Sequence, residues 1–368
     1  ARLPLSRPGG SPVRKAPPRA STSAGARSPA RSGGPVCGGP VSGGRLGGGA
    51  AGKGRAPPPP SSPRGGAPQG AGGLESRRLQ GSQLLGFEGS GHVAVRGLFA
   101  PEELQLAVAA AAGAVRGREL DSLRHRIRVL CPGVDPMSVT TVDEAEAVLG
   151  GEAATDDVSF LQFFNLHRTL PAVRELVLSD RLAGAAAQLL GTPRVRLYQD
   201  CLFVKKPSHG ATNWHSDLRM APLDTNDFLT VWIPLRPVRG GGDSGLLFAS
   251  KSHRDFALPF WHDMGGMDLE TRGYVVEGAG AMALGDVTFH HGWTLHFAPD
   301  HDPGVPTRAA LAACYFRDGA RTLDTGAPSL RSQVHSEDYE SYKDWVKDIK
   351  PGGMAKHPLL VRLRGLRA

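Results

Sequence analysis

The sequence predicts a mainly β domain with flanking helices, of the double-stranded β-helix (jelly-roll, cupin-like) class. After residue 194 the chain consists of many short apolar segments separated by Gly- and Pro-containing turns, which is typical of a double-sheet jelly roll. Before residue 194 the stronger signals are those of helix starts and ends, so we expect helices on the outside of a sheet. No apolar run reaches the roughly 18 residues of a membrane span.

The N-terminal segment is of low complexity, being rich in Gly, Pro, Ser, Ala and Arg. Such a segment buries too little apolar surface to offset its ordering entropy, so we expect residues 1–80 to be disordered and residues 81–368 to form the domain. An Arg- and Ser-rich, acid-poor N-terminus is typical of a transit peptide, for which a plastid is favoured over a mitochondrion; otherwise the protein would be cytoplasmic. The alternatives are a plain low-complexity tail and an Arg/Gly-rich segment with weak RNA affinity.

Charge and cysteine content exclude several classes of function. Residues 1–74 carry eleven Lys and Arg and no acid, whereas the remaining residues carry 32 basic and 35 acidic side chains. We therefore expect no nucleic-acid partner for the folded domain. The four cysteines form no C-x-x-C pair, which argues against a disulfide framework and a zinc ribbon and fits a reducing compartment. The oligomeric state has no signal in the sequence.

The first half of the domain is expected to contain one short strand and three helices. Pro101 suits the first position of a helix, and the two acidic residues that follow it suit the positive end of the helix dipole. Ser179 is a capping residue for a later helix, which Gly191 ends. The predicted segments are a strand over 92–96, a helix over 101–115, a loop over 160–165, and helices over 171–177 and 181–190.

The second half is expected to form a set of short strands and a closing helix. The helix is predicted over residues 339–349, and a turn over residues 240–243. A barrel of this kind can hold a metal on side chains from separate strands. The predicted strands are 195–204, 212–217, 228–235, 246–249, 274–276, 281–284, 287–291 and 309–316.

The segment over residues 213–217 (NWHSD) carries the main chemical signal. On an extended segment His215 and Asp217 project to the same face, because strand side chains repeat every two residues. An imidazole and a monodentate carboxylate are two ligands of a 2-His-1-carboxylate site, which leaves positions open on Fe(II) for a cosubstrate and O₂. Taken alone, the pair could equally be a surface histidine and a turn aspartate.

The third ligand has to come from a distant part of the chain. Three candidates, His290, His291 and His296, lie in the block over residues 285–296 (GDVTFHHGWTLH). A strand through Phe289 turns His290 and His291 to opposite faces, so at most one of the two points inward.

Arg308 follows on a predicted strand among Ala, Leu and Cys. A buried arginine is costly without an anionic partner, and a bound dicarboxylate would supply one through a bidentate contact. An internal Arg–Asp salt bridge is the alternative.

From about Leu84 to the C-terminus, the chain resembles the phytanoyl-CoA dioxygenase family of Fe(II)/2-oxoglutarate oxygenases. The matching segments occur in the family's order at compatible spacings, and the first seventy or so residues lie outside the resemblance. They are residues 198–207 (YQDCLFVKKP), 215–217 (HSD), 231–235 (VWIPL), 244–248 (SGLLF), 250–254 (SKSHR) and the 285–296 block.

The resemblance implies a non-haem iron dioxygenase that hydroxylates a small organic substrate and decarboxylates 2-oxoglutarate to succinate. The family's H-x-x-x-x-H pattern implies His296 as the third Fe(II) ligand beside His215 and Asp217. Halogenating relatives lack the carboxylate, so Asp217 favours hydroxylation over halogenation. Whether the substrate is a CoA ester is not indicated, since no basic groove clearly suits the phosphates of CoA.

The resemblance also implies a cosubstrate pocket. Arg308 would hold the far carboxylate of 2-oxoglutarate, and Trp232 and Leu202 would line the pocket, with ordinary apolar core as the alternative for both. Gln199 is a polar residue on the strand leading to the site and is a candidate contact for cosubstrate or substrate. His291 would then be a substrate-side or supporting residue, or a packed histidine. Histidines in predicted loops are expected to face solvent or to cap; these are His209, His253, His262 and His301.

Two other classes of function remain as alternatives. A non-catalytic jelly-roll binding protein would be expected to have lost a ligand or the arginine, and this chain retains both types of residue. A cupin-like metalloenzyme without cosubstrate would have no buried arginine after its third ligand.

Overall fold

The computed structural model of the protein describes residues 74–152, 158–240, 242–255, 269, 273–324 and 339–365. The predicted low-complexity segment up to residue 73 and the predicted loop residue His262 lie outside the described residues. Residues on the N-terminal side of the predicted boundary at residue 81 also contact the domain, because the Leu74 carbonyl accepts a hydrogen bond from the Arg181 amide (3.1 Å) and Leu79 is buried. No helix in the described part of the chain is long and apolar enough to cross a membrane.

The described residues form six α-helices and twelve β-strands. The helices are α1 (Gly81–Ser90), α2 (Pro101–Leu130), α3 (Val142–Glu152), α4 (Pro171–Val177), α5 (Asp180–Leu189) and α6 (Tyr339–Val346). The strands are β1 (His92–Val95), β2 (Leu161–Phe164), β3 (Arg194–Lys205), β4 (Leu223–Asp224), β5 (Phe228–Pro234), β6 (Leu247–Ser250), β7 (Val275–Gly278), β8 (Val287–His291), β9 (His296–Phe297), β10 (Arg308–Arg317), β11 (Arg321–Thr322) and β12 (Arg362–Arg364).

The strands form two main sheets of unequal size. The larger sheet has the order β1-β8-β5-β10-β3-β12, with β2 paired to the C-terminal half of β3, and the smaller sheet has the order β7-β6-β9. The pairs within both sheets are antiparallel. A separate ribbon joins β4 and β11. The predicted mainly β jelly-roll fold with flanking helices is confirmed.

The two faces of the larger sheet have different roles because side chains alternate along each strand. On β5, Val231 and Ile233 pack into the main hydrophobic core together with residues of the helices. Thr230 and Trp232, one position away, line a cavity on the opposite face. The helices therefore cover the outer face of the larger sheet, as predicted, and its inner face lines the cavity.

Helix starts follow the local signals in the sequence. Pro101 and Pro171 occupy the first turns of α2 and α4, where a missing amide hydrogen costs nothing. The Ser179 hydroxyl accepts a hydrogen bond from the Leu182 amide and caps α5, and Gly191 follows the helix with φ of 59°.

Elements that depend on distant partners differ from the prediction. Helix α2 extends to Leu130 with non-helical dihedrals at Arg118, and the predicted loop over 160–165 contains strand β2. The predicted strands over 212–217 and 281–284 are reduced to isolated bridges in extended chain. Strand β2 exists because it pairs with β3, a contact between segments far apart in sequence that local periodicity does not show.

Candidate active site

The main chain brings His215 and His296 together. The two residues are direct partners in an antiparallel bridge, in which the His215 amide donates to the His296 carbonyl (3.1 Å) and the His296 amide donates back (3.0 Å). Directly opposed residues project their side chains from the same face. The two imidazole centroids are accordingly 4.2 Å apart.

Main-chain carbonyls set the protonation of both rings. Nδ1 of His215 lies 2.8 Å from the Asn213 carbonyl oxygen, and Nδ1 of His296 lies 3.0 Å from the Thr294 carbonyl oxygen. Because a carbonyl only accepts, Nδ1 carries the proton in each ring and the Nε2 lone pair remains free. A second nitrogen bonded to a carbonyl is the usual arrangement of a metal-binding histidine.

Asp217 adds a third donor atom on the same side. Ser216 is extended (φ −126°, ψ 134°), so the Asp217 side chain projects beside that of His215 before the chain turns into a short 3₁₀ segment. Oδ1 of Asp217 lies 3.8 Å from His215 Nε2 and 3.5 Å from His296 Nε2. All three donor atoms lie within 4.8 Å of one another, so one metal ion can reach them all.

The other oxygen of Asp217 is held by two protein donors. His290 Nε2 lies 3.0 Å from Oδ2, and the Thr230 hydroxyl donates to the same oxygen over 2.5 Å. Oδ1 is therefore the oxygen left for a metal, and the carboxylate is held in a monodentate orientation.

Electrostatics keep these groups in the protonation states that a metal needs. Burial alone would raise the pKa of Asp217, but the imidazoles of His296, His290 and His215 outweigh burial and hold that pKa well below its usual range. Burial, assisted by His290 and His215, lowers the pKa of His296 well below the ordinary value for histidine. The site therefore presents a charged carboxylate and a neutral imidazole.

The two adjacent histidines of β8 face opposite ways, as predicted. His290 is 1% exposed and its ring centroid lies 4.2 Å from that of His296. His291 packs against Phe87 and His253, with ring centroids 6.3 and 5.3 Å away. Of the alternatives for His291, the packed histidine describes its contacts. The residue that supports the site is His290, which the sequence reasoning left without a role.

Arg308 is buried at the start of β10 with no carboxylate partner among the described residues. Its Nε lies 3.3 Å from the Ser244 hydroxyl, and its guanidinium lies 5.3 Å from the Trp232 ring centroid. The alternative of an internal Arg–Asp pair does not hold for the nearby Asp243, which pairs with Arg236 at 2.5 Å. Burial lowers the pKa of Arg308 to about 10, so the guanidinium is charged at neutral pH.

His301 is buried beside Arg308 and does not face solvent, which was one of the two expectations for it; the other was that it caps a segment. It is 1% exposed, its Nδ1 lies 2.8 Å from the Ser244 hydroxyl, and its Nε2 lies 3.0 Å from the Pro306 carbonyl. Since a carbonyl only accepts, Nε2 carries the proton and Nδ1 accepts from Ser244. The Ser244 oxygen is therefore oriented to accept from Arg308.

One cavity of about 480 Å³ joins the three donor atoms to Arg308. Trp232 and Gln199, the other two residues expected near the cosubstrate, also line this cavity. Oε1 of Gln199 is buried and has no hydrogen-bond partner among the described residues, so it is available to a bound molecule.

The prediction that Leu202 lines the cosubstrate pocket is wrong. It does not line the cavity and lies fully buried in the core under the helices. The alternation along β3 explains this, because Cys201 and Phe203 face the cavity and Leu202 must face away. The apolar-core alternative describes Leu202.

Two cavity residues, Thr230 and Lys205, were missed from the sequence, and His290 was considered only as a possible third ligand. Signals for the two missed residues exist. Thr230 is a hydroxyl residue within an otherwise apolar buried strand, and Lys205 is a charged residue at the end of another. Identifying either side chain as cavity-facing requires the pairing of the strands.

The donor set fits a mononuclear Fe(II) site. Two imidazole nitrogens and one carboxylate oxygen converge, and the second carboxylate oxygen is hydrogen-bonded. This composition is that of the 2-His-1-carboxylate centre, which leaves coordination positions for a cosubstrate and oxygen.

Comparison with known proteins agrees with this composition. The sequence profile of the phytanoyl-CoA dioxygenase (PhyH) family matches residues 87–302, more than half of the chain, and this range includes His215, Asp217 and His296. Arg308 lies just beyond the matched range. Among curated proteins, none matches the sequence significantly.

Several solved structures share the fold. The non-heme α-ketoglutarate-dependent carbocyclase SnoK from nogalamycin biosynthesis is 20% identical with a TM-score of 0.57, over 80% of this chain and 100% of that one. The epimerase SnoN in complex with Fe³⁺, α-ketoglutarate and nogalamycin RO is 17% identical with a TM-score of 0.53, over 77% and 98%. Apo EctD from S. alaskensis is 17% identical with a TM-score of 0.51, over 82% and 94%.

Proposed function

The chain belongs to the phytanoyl-CoA dioxygenase family of Fe(II)- and 2-oxoglutarate-dependent enzymes, and from this premise we propose that it hydroxylates a small organic substrate. In the proposed reaction, 2-oxoglutarate and O₂ give succinate and CO₂, with one oxygen atom entering succinate and the other entering the substrate. The cavity volume of about 480 Å³ is within the range of small-molecule sites.

His215 and His296 would hold the iron through Nε2, and Asp217 through Oδ1. When bound, the iron and its cosubstrate supply oxygen activation coupled to oxidative decarboxylation. His290 and Thr230 keep Asp217 Oδ2 engaged, so that the carboxylate occupies a single position. The retained carboxylate supports hydroxylation over halogenation, which needs that position for a halide.

The buried guanidinium of Arg308 is the single observation that carries the proposal. It lines the same cavity as the three donor atoms, and no described carboxylate pairs with it. Of its three nitrogens only Nε has a hydrogen-bond partner among the described residues, which leaves both terminal nitrogens for a bound carboxylate. A cupin-like metalloenzyme without cosubstrate, or a binding module that lost turnover, gives no reason for a buried cation without a directly paired carboxylate at this position.

The test of the site is spectroscopic. Anaerobic addition of Fe(II) and 2-oxoglutarate should produce the weak visible charge-transfer band of the chelated cosubstrate. His215→Ala and Asp217→Ala should abolish the band, whereas Asp227→Ala, which removes an ion pair with the exposed Arg317, should retain it. Absence of the band in the wild-type protein would refute the proposed function.

The test of the reaction is a product analysis. Succinate release across a panel of acyl-CoA esters, free acids and isoprenoid compounds should identify the substrate class. Mass spectrometry of the product should show the gain of one oxygen atom. A product isomeric with the substrate, or one that has lost two hydrogens, would replace hydroxylation with epimerisation or ring closure, the reactions named for SnoN and SnoK.

A further inference from the structure

Lys205 and Arg308 are neighbours across two paired strands. Lys205 ends β3, Arg308 begins β10, and the two residues are direct partners in the antiparallel register. Both side chains are buried, with 0% and 2% exposed, and both line the cavity. Like charges at directly opposed positions repel each other, and the repulsion is stronger away from water.

The protein supplies these two cations with no paired anion among the described residues. Nζ of Lys205 donates to the main-chain carbonyls of Gly210 and Pro299, the latter over 2.9 Å. Carbonyl oxygens carry no net charge, and an ammonium group has a third N–H to donate. Asp300 is exposed, and its attraction for Lys205 is smaller than the opposing effects of burial and of Arg308.

We propose that Lys205 and Arg308 together form one anion subsite, in which both cations bind the distal carboxylate of the cosubstrate. A carboxylate held by the terminal nitrogens of Arg308 lies within reach of Lys205, because directly opposed side chains start about 5 Å apart. This inference rests on the proposed function and extends it to a residue that the sequence reasoning did not assign. The subsite explains why two buried like charges are tolerated side by side.

The subsite has a consequence for the pH dependence of binding. Burial, assisted by the charge of Arg308 and opposed by Asp300, lowers the pKa of Lys205 to about 7. The free protein therefore carries a charged Lys205 below this pH and an increasingly neutral one above it. A carboxylate beside Lys205 favours the charged form, so cosubstrate affinity is highest below about pH 7 and falls as the pH rises. The charged groups that act on Lys205 are Arg308 on β10 and Asp300 after β9, and Lys205 in turn acts on His209 after β3.

The test compares two ligands that differ only at the distal end. Calorimetry without oxygen would measure the binding of 2-oxoglutarate and of 2-oxovalerate to the Fe(II)-loaded protein. The second acid has the same chain length and the same chelating end but no distal carboxylate. Lys205→Met should lower the affinity for 2-oxoglutarate about tenfold or more, in line with a lost charge-assisted hydrogen bond. The affinity for 2-oxovalerate should be unchanged. The matched control is Lys206→Met, because Lys206 pairs with Glu119 and Glu146.

The possible outcomes separate this inference from the proposed function. An equal loss for both acids, or no loss for either, would overturn the subsite. Failure of the wild-type protein to bind either acid would instead refute the proposed function. If Lys205→Met does not fold, measurements on the wild-type protein still test the subsite. Its affinity for 2-oxoglutarate relative to 2-oxovalerate should fall from about pH 6 to about pH 8, and a constant ratio would overturn the subsite.

Discussion

His290 donates its Nε2 hydrogen to Oδ2 of Asp217 over 3.0 Å and so leaves Oδ1 as the carboxylate oxygen that faces His215 and His296. The Thr230 hydroxyl donates to the same Oδ2 atom. Two donors on one oxygen orient the carboxylate before any metal binds. A histidine that the sequence offers as a possible ligand therefore acts on a ligand instead.

Removal of the His290 donor should weaken metal binding. His290→Phe keeps an aromatic ring in place but frees Asp217 Oδ2, so we expect Fe(II) affinity to fall about tenfold or more. Anaerobic titration with Fe(II) would measure this. His291→Phe is the matched control, since His291 packs against Phe87 and His253 on the other side of the strand. Equal Fe(II) affinities for the two variants would contradict the role of His290.

Arg308 should lower the stability of the ligand-free protein, although it contributes to cosubstrate binding. Arg308→Met removes a buried charge that forms no ion pair with a described carboxylate, so the free energy of unfolding without ligand should stay the same or rise by about 1 to 4 kcal/mol. The affinity for 2-oxoglutarate should fall at least tenfold. Chemical denaturation and calorimetry would measure the two effects.

The control for this prediction is Arg317→Met at the opposite end of β10. Arg317 is exposed and pairs with Asp227, so its replacement should change neither quantity appreciably. A fall of several kcal/mol in the stability of Arg308→Met would show that the guanidinium has an anionic partner within the protein.

Gly292 holds the turn that carries Asp217. Its carbonyl accepts from the Leu218 amide over 2.9 Å, and a Cβ at this position would lie 2.8 Å from side-chain atoms of Leu218 and Phe228. Gly292→Ala should therefore lower stability by about 1 to 3 kcal/mol and weaken Fe(II) binding, because relief of the clash moves the residue after Asp217.

Gly113→Ala provides the comparison for Gly292→Ala. A Cβ at Gly113 meets nothing within 4 Å, and the residue lies within helix α2, so alanine there should preserve or raise the melting temperature. Unchanged metal affinity in Gly292→Ala would mean that the turn adjusts without moving Asp217.

Substitutions at Leu202 and Trp232 should affect different properties. The first should lower stability, and the second should lower cosubstrate affinity. Leu202→Ala should cost about 2 to 5 kcal/mol of stability, since the side chain is fully buried in the core, and leave the 2-oxoglutarate affinity of the folded protein unchanged. Trp232→Leu should reduce that affinity, because the ring under the Arg308 guanidinium is lost. A loss of cosubstrate affinity in Leu202→Ala would contradict the assignment of Leu202 to the core and indicate that it contributes to the cosubstrate pocket.

Local spacing in the sequence was sufficient for the parts of the site that lie on one segment. An extended chain repeats every two residues, so the placement of His215 and Asp217 on one face needed no knowledge of the fold. The same rule placed the side chains of His290 and His291 on opposite faces of their strand. The burial of Arg308 could be predicted from its apolar neighbours along one strand.

Pairing between distant segments decided the rest. His296 meets His215 only through a bridge between the smaller sheet and the segment before Asp217. Lys205 and Arg308 become neighbours only through the register of β3 with β10, and Leu202 was misplaced because a one-residue difference reverses the face of a strand. The sequence by itself identified His215, Asp217 and Arg308 as candidate site residues. The tertiary structure decided which of them meet, because register is set by packing across the whole sheet.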